Sequence, residues 1–113
     1  MDIYVGGRHS GKTALLIKKS AETRATIAVP NYHMAQYIKE KAQDMHVDIP
    51  EPVTFTQVLR SYQRNKSKRY LIDELQTVLD LLNVDCATAN EEAVKPIPNR
   101  RGNRAKICII DEL

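Results

Sequence analysis

The chain has no tryptophan and a single phenylalanine, and aromatic residues make up 5% of its 113 positions. That scarcity argues against a surface built for extensive base stacking. Long hydrophobic runs are missing as well: no segment approaches the roughly 18 consecutive apolar residues that a membrane span requires. There are only two cysteines. Cys86 and Cys108 stand far apart, outside any CxxC or Cys/His pattern, and read as ordinary thiols in or near strands. The N-terminus runs at once into a β-prone segment and lacks the charged-then-apolar layout of a secretory signal. The closing Ile110-Asp111-Glu112-Leu113 lacks the Lys or His of a retention tail. A cytoplasmic location with no membrane partner is therefore expected. Charge of one sign is not in large excess: the formal net charge is +3, which permits nucleic-acid binding without arguing for it.

What is present, 42% hydrophobic and 27% charged residues, is the composition of a globular chain. The length suits one domain, 1–113, with a small core. Ile3-Tyr4-Val5 is a β-prone run that stops at Gly6-Gly7. From Lys12 to about Glu22 the residues are helix formers without Gly or Pro. Thr26 to Val29 reads as a second strand ended by Pro30. Asn31 suits a helix N-cap, and Met34, Ile38, Ala42 and Met45 follow at helical spacing. Ile49-Pro50-Glu51-Pro52 is a stiff turn, and Val53-Thr54 a minimal third strand. Phe55, Val58, Leu59 and Tyr62 fall on one helix face. Residues 60–69 are basic and polar, suiting a loop or frayed helix end.

Tyr70 to Ile72 form a fourth strand, closed by Asp73-Glu74. Leu75, Val78, Leu79 and Leu82 give another helical stripe. Val84 to Ala89 is open between strand and loop. The core is expected at about 3–89, a flexible basic linker at about 95–105, and a last strand at 107–110. Strands alternating with helices predict an α/β fold with a mostly parallel sheet of about five strands in three layers. Ligands of such sheets bind beyond the C-terminal strand ends.

Gly6-Gly7-Arg8-His9-Ser10-Gly11-Lys12-Thr13 fits GxxxxGK(S/T) without exception. Glycines let backbone N–H groups curl around phosphate oxygens, and the following helix offers its N-terminus to the anion. Lys12 should reach the β- and γ-phosphates, and the Thr13 hydroxyl should ligate Mg²⁺. A chance match in this length has odds on the order of 1 in 300, and the match falls between a strand and a helix, as its mechanism requires. Arg8 and His9 are expected to face solvent, with Arg8 able to contact phosphate. ATP with Mg²⁺ is the expected ligand.

Arg69-Tyr70-Leu71-Ile72-Asp73-Glu74 delivers two carboxylates to a strand end. Asp73 can hold Mg²⁺ through water, and Glu74 can polarise an attacking water. The bland alternative is a helix that starts with acidic residues because they suit its dipole. Ile107-Cys108-Ile109-Ile110-Asp111-Glu112 has the same shape and is the rival metal-binding strand.

Taken together these segments resemble the first RecA-like lobe of superfamily 1 helicases of the UvrD type. Asp73-Glu74-Leu75-Gln76 reads DExQ, the form of that family's motif II. Thr26 to Ala42 is similar to its motif Ia, and Val53 to Arg60 resembles its TFHSL segment with Thr56 in place of His. The order of motifs agrees, and the resemblance covers roughly residues 3–82. It implies a RecA-like three-layer fold with the phosphate-loop strand central. It also implies Asp73 serving Mg²⁺, Glu74 as catalytic base and Gln76 near the γ-phosphate. In size and style the chain is also similar to small bacteriophage ATP-binding proteins, which suggests a part in phage DNA metabolism. Two features depart from the helicase pattern. There is no room for the second lobe, and Val84-Asp85-Cys86-Ala87-Thr88 stands where GDxxQ is expected. An arginine finger from a partner subunit or protein would then be needed for efficient hydrolysis, since such fingers contribute factors of about 10³ to 10⁵.

Gly6 to Lys19 is also similar to the opening of cellular-type thymidine kinases, which share the DExQ strand end. Here, however, Thr77 follows Gln76 where that family has an aromatic residue, and the cysteine-bearing zinc lobe is missing. Two basic clusters complete the inventory. One is Arg60, Arg64, Lys66, Lys68 and Arg69 around Tyr62. The other is Lys95, Arg100, Arg101, Arg104 and Lys106. Either can track the backbone of single-stranded DNA or simply be solvated, and Arg100, Arg101 or Arg104 can serve as a finger. The expected activity is Mg-dependent ATP hydrolysis. The alternatives are a nucleotide-gated binding module with negligible turnover and a nucleoside kinase.

Overall fold

The computed structural model of the chain describes residues 1–7, 11–61, 64 and 67–97. In chain order the elements are β1 (Ile3–Val5), α1 (Lys12–Thr23), β2 (Thr26–Val29), α2 (Tyr32–Asp44), β3 (Val53–Thr54), α3 (Phe55–Ser61), β4 (Tyr70–Ile72), α4 (Leu75–Leu81), a 3₁₀ turn (Glu91–Ala93) and β5 (Val94–Pro96). These make an α/β fold with a parallel two-stranded sheet, β1-β5, and a parallel three-stranded sheet, β3-β2-β4. The described chain falls into two units, Thr13–Cys86 and Met1–Lys12 with the chain from Ala87 onward.

The larger unit is built around β2. Thr26, Ile27, Ala28 and Val29 are all buried, as expected of a central parallel strand covered on both faces. β3 pairs along one edge, Ala28 opposite Val53, and β4 along the other, Thr26 opposite Tyr70 and Ala28 opposite Ile72. The core joins Ile17 of α1 and Ala35, Ile38 and Ala42 of α2 to Ile27 and Val29. Met34 and Met45 pack on its margin. The stripe read at 34, 38, 42 and 45 is thus the buried face of α2. Each fully buried isoleucine there contributes about 1.5–3 kcal/mol.

Helix ends follow local chemistry. Asn31 caps α2, its Oδ1 accepting from the Met34 N–H at 2.9 Å. Thr54 and Gln57 form a reciprocal capping box at the start of α3: the Gln57 N–H donates to Thr54 Oγ1, and the Thr54 N–H to Gln57 Oε1. The far ends of three helices are closed by left-handed residues that are not glycine: Arg24 after α1, His46 after α2 and Asn83 after α4. After α2 the Val47 and His46 N–H groups donate to the Ala42 and Gln43 carbonyls, and after α4 Val84 and Asn83 donate to Leu79 and Asp80. That is the Schellman pattern. Glycine normally takes these positions, but three of the chain's four glycines lie at 6, 7 and 11.

α4 forms where its stripe predicts, yet none of its residues is buried, and Leu81 and Leu82 stay 63% and 57% exposed. On α3 the expected face is split: Phe55 is buried, while Leu59 is exposed and Tyr62 lies outside the described residues.

In the smaller unit β1 pairs with β5, Ile3 opposite Val94 and Val5 opposite Pro96, with Ile97 buried just beyond. This corrects the reading of a linker from 95. Lys95 and Pro96 belong to a strand, and Lys95 Nζ sits 3.0 Å from Asp2 Oδ1. Pro96 ends an edge strand, where a missing N–H costs no ladder bond. Val84 to Ala89 takes no regular structure, so exposed Cys86 lies in a loop rather than in a strand. Residues 98–113, including the expected strand at 107–110, lie outside the described residues. Among the described residues no helix is long and apolar enough to cross a membrane.

Candidate phosphate and metal site

The glycine-rich loop leaves β1 and runs into α1. Gly11 has φ +89°, a region that side-chain-bearing residues rarely adopt, although a Cβ built there would meet nothing within 4 Å. The requirement for glycine is therefore conformational rather than one of space. Lys12 folds back on its own loop, its Nζ donating to the Gly6 carbonyl at 3.1 Å. Gly6 is partly buried and Gly7 exposed. Arg8, His9 and Ser10 lie outside the described residues. α1 carries no acidic side chain in its first turn, so its free N–H groups and positive dipole end are not offset by the helix itself.

Within the larger unit, Thr13 at the start of α1 meets Asp73 just past β4. The Thr13 Oγ1 hydroxyl donates to Asp73 Oδ2 at 3.2 Å, across sixty positions of sequence. Asp73 is 5% exposed. Its backbone N–H donates to the Ala28 carbonyl at 3.1 Å, carrying the β2-β4 ladder one residue beyond the strand and holding the carboxylate at the sheet's C-terminal edge. A hydroxyl whose proton is taken by a carboxylate keeps its lone pairs for a cation. Hard oxygen ligands of this kind suit Mg²⁺, which takes one or two protein ligands and completes its octahedron with phosphate oxygens and water. The pair fits that ion. Among the described residues no group of three or more His, Cys, Asp or Glu gathers to form an all-protein metal cage.

Glu74 follows in the left-handed conformation, φ 63° and ψ 58°, and is exposed. Its carbonyl accepts from the Thr77 and Val78 N–H groups and so starts α4, while its side chain makes no cap bond. A non-glycine residue held there stores strain of about 1–2 kcal/mol, of the kind that gathers at functional sites. The side chain thus makes no capping bond, while its charge stands at the positive dipole end of α4, the bland role open to it. Gln76, two residues on, is also exposed. The rival pair Asp111-Glu112 lies outside the described residues, as do Tyr62, Lys66, Arg100, Arg101, Arg104 and Lys106.

Sequence reasoning missed one contributor. The Ala28 carbonyl that positions Asp73 has no side-chain signal. No family model, curated protein or solved structure matches this chain.

Proposed function

We propose that the chain binds Mg-ATP and hydrolyses it, as a helicase-like P-loop ATPase. The observation that carries this reading is the Thr13–Asp73 hydrogen bond. It joins the last residue of the phosphate-loop motif to the strand-end aspartate, the two side chains that the motif chemistry assigns to one Mg²⁺. In this reading Lys12 exchanges the Gly6 carbonyl for the β- and γ-phosphates. Thr13 ligates the metal directly and Asp73 holds it through water. Glu74 polarises the attacking water, and Gln76 lies near the γ-phosphate. Bound Mg²⁺ supplies charge neutralisation between the β- and γ-phosphates. A three-layer RecA-like arrangement with a single sheet of about five strands belongs to the same proposal, as does a part in phage DNA metabolism.

The test is Mg-ATP hydrolysis over a range of protein concentrations, with and without single-stranded DNA, using Lys12→Ala as the blank. Turnover above the blank supports the ATPase, and turnover rising more steeply than protein concentration points to arginines supplied by a neighbouring copy. Binding without turnover in any condition makes the protein a nucleotide-gated module. Transfer of a labelled γ-phosphate to thymidine or another nucleoside makes it a kinase.

A further inference from the structure

Among the described residues eight large hydrophobic side chains are exposed, and four of them, Ile72, Leu75, Leu81 and Leu82, fall within eleven positions around α4. The middle of the helix stripe is sheltered, Val78 and Leu79 being half-buried. Leu75 and Leu82, one heptad apart, stand open at its two ends, and Leu81 is 63% exposed. Charge around this face has one sign. No Lys, Arg or His occurs from Tyr70 to Val94, a stretch holding Asp73, Glu74, Asp80, Asp85, Glu91 and Glu92, although the whole chain carries +3. Glu74 at the head of α4, Asp80 on it and Asp85 just beyond it are all exposed. None of the three enters an ion pair among the described residues. An ordinary solvated helix surface mixes charges of both signs and keeps exposed leucines few.

We propose that α4 is the docking face for a basic amphipathic helix of another protein. Apolar side chains of that helix cover Leu75, Leu81 and Leu82, and its Lys or Arg residues meet Glu74, Asp80 and Asp85. Heptad spacing of leucines, with Val78 and Leu79 between them, presents the ridge that a facing helix packs against. The acids set the partner's sign, since an apolar face rimmed by unpaired carboxylates accepts cations and rejects anions. The same charges repel the phosphates of nucleic acid and of an anionic membrane surface. A second copy meeting this face about a two-fold axis would bring acid to acid with no cation on either side, so self-pairing is disfavoured. α4 is about 10 Å long at 1.5 Å per residue, so the contact is small and the complex transient, with a Kd on the order of 10 µM.

The proposal does not rest on the nucleotide reading, and its variants spare Lys12, Thr13, Asp73 and Glu74. The probe is a fluorescein-labelled amphipathic helix of about 18 residues built from leucine and lysine, followed by anisotropy with the full chain. One control peptide carries glutamate in place of lysine, and the other has the same composition with its leucines spread around the helix. The wild type is expected to bind the probe with a Kd on the order of 10 µM and each control at least about tenfold more weakly. Leu81→Gln/Leu82→Gln should weaken binding of the probe about tenfold or more. Asp80→Lys/Asp85→Lys should weaken it about tenfold and remove most of the fall in affinity between about 50 and 300 mM salt. All four side chains are exposed, so thermal unfolding of both variants should stay at the wild-type value. The proposal is overturned by undetectable binding of the probe, by equal binding of the glutamate peptide, or by unchanged affinity in either folded variant. Self-association of the wild type in sedimentation that Leu81→Gln/Leu82→Gln abolishes would give the face to a second copy and also overturn it.

Discussion

The hydrogen bond between Thr13 and Asp73 can be measured twice, once as stability and once as nucleotide affinity. Thr13→Val keeps the shape of the side chain and removes the donor, while Asp73→Asn keeps the volume and removes the charge. A hydrogen bond to a charged acceptor contributes about 1.5–3 kcal/mol. This one is part-buried, at 3.2 Å, which favours the lower end of that range. In urea unfolding without nucleotide, the double-mutant cycle should return a coupling of about 1–2 kcal/mol. Wild-type protein at a nucleotide concentration of 100 Kd gains about 2.7 kcal/mol from binding. If Thr13 and Asp73 hold the metal, their variants lose about 10- to 100-fold in Mg-ATP affinity. The gain at the same concentration then falls to between about 1.4 and 0.4 kcal/mol. With ATP and excess EDTA, wild type and variants should gain alike. Additive single effects would show that the two side chains do not interact. A full Mg-ATP gain in Thr13→Val would remove that hydroxyl from the metal site.

Three further outcomes are expected. Lys12→Ala should abolish tight Mg-ATP binding by calorimetry while leaving the fold intact, because the Lys12 ammonium bonds to a carbonyl within its own loop; unchanged affinity would end the phosphate-loop reading. Glu74→Gln should keep Mg-ATP binding and lose turnover, whereas Glu74→Gly should lose turnover and gain about 0.5–1 kcal/mol of stability by relieving the left-handed strain. If Glu112→Gln abolishes turnover and Glu74→Gln does not, the base lies on the other acidic segment. Asn31→Ala should cost about 1 kcal/mol by removing the α2 cap, read as a fall of roughly 4 °C in Tm; no change would mean that another group satisfies the Met34 N–H.

Much of the larger unit was legible because its signals are local. A β-branched run ended by Pro30, the Asn31 cap and the 34-38-42-45 stripe each act within a few residues, and β2 and α2 appear where those signals put them. Helix ends were harder to read. Glycine is the usual mark of a helix C-terminus, and here Arg24, His46 and Asn83 do that work through backbone hydrogen bonds. β5 was hidden for a related reason: Pro96 reads as a breaker, and only pairing with β1 and burial of Ile97 make Val94–Pro96 a strand. The stripe on α4 shows the converse, since its periodicity produced a helix whose apolar face is only partly covered, Val78 and Leu79 half-buried and Leu82 exposed.

By itself the sequence determined the ingredients of the site: the glycine spacing, Lys12 and Thr13 at the head of a helix, and Asp73-Glu74 after an apolar strand. These are properties of neighbouring residues, and backbone preference and side-chain chemistry are written at that range. Which partners meet was decided only in three dimensions. The β2-β4 register sets Asp73 by the Ala28 carbonyl and brings it to Thr13. Register is fixed by burying all four side chains of β2 at once, a condition on the whole sheet that no single segment can express.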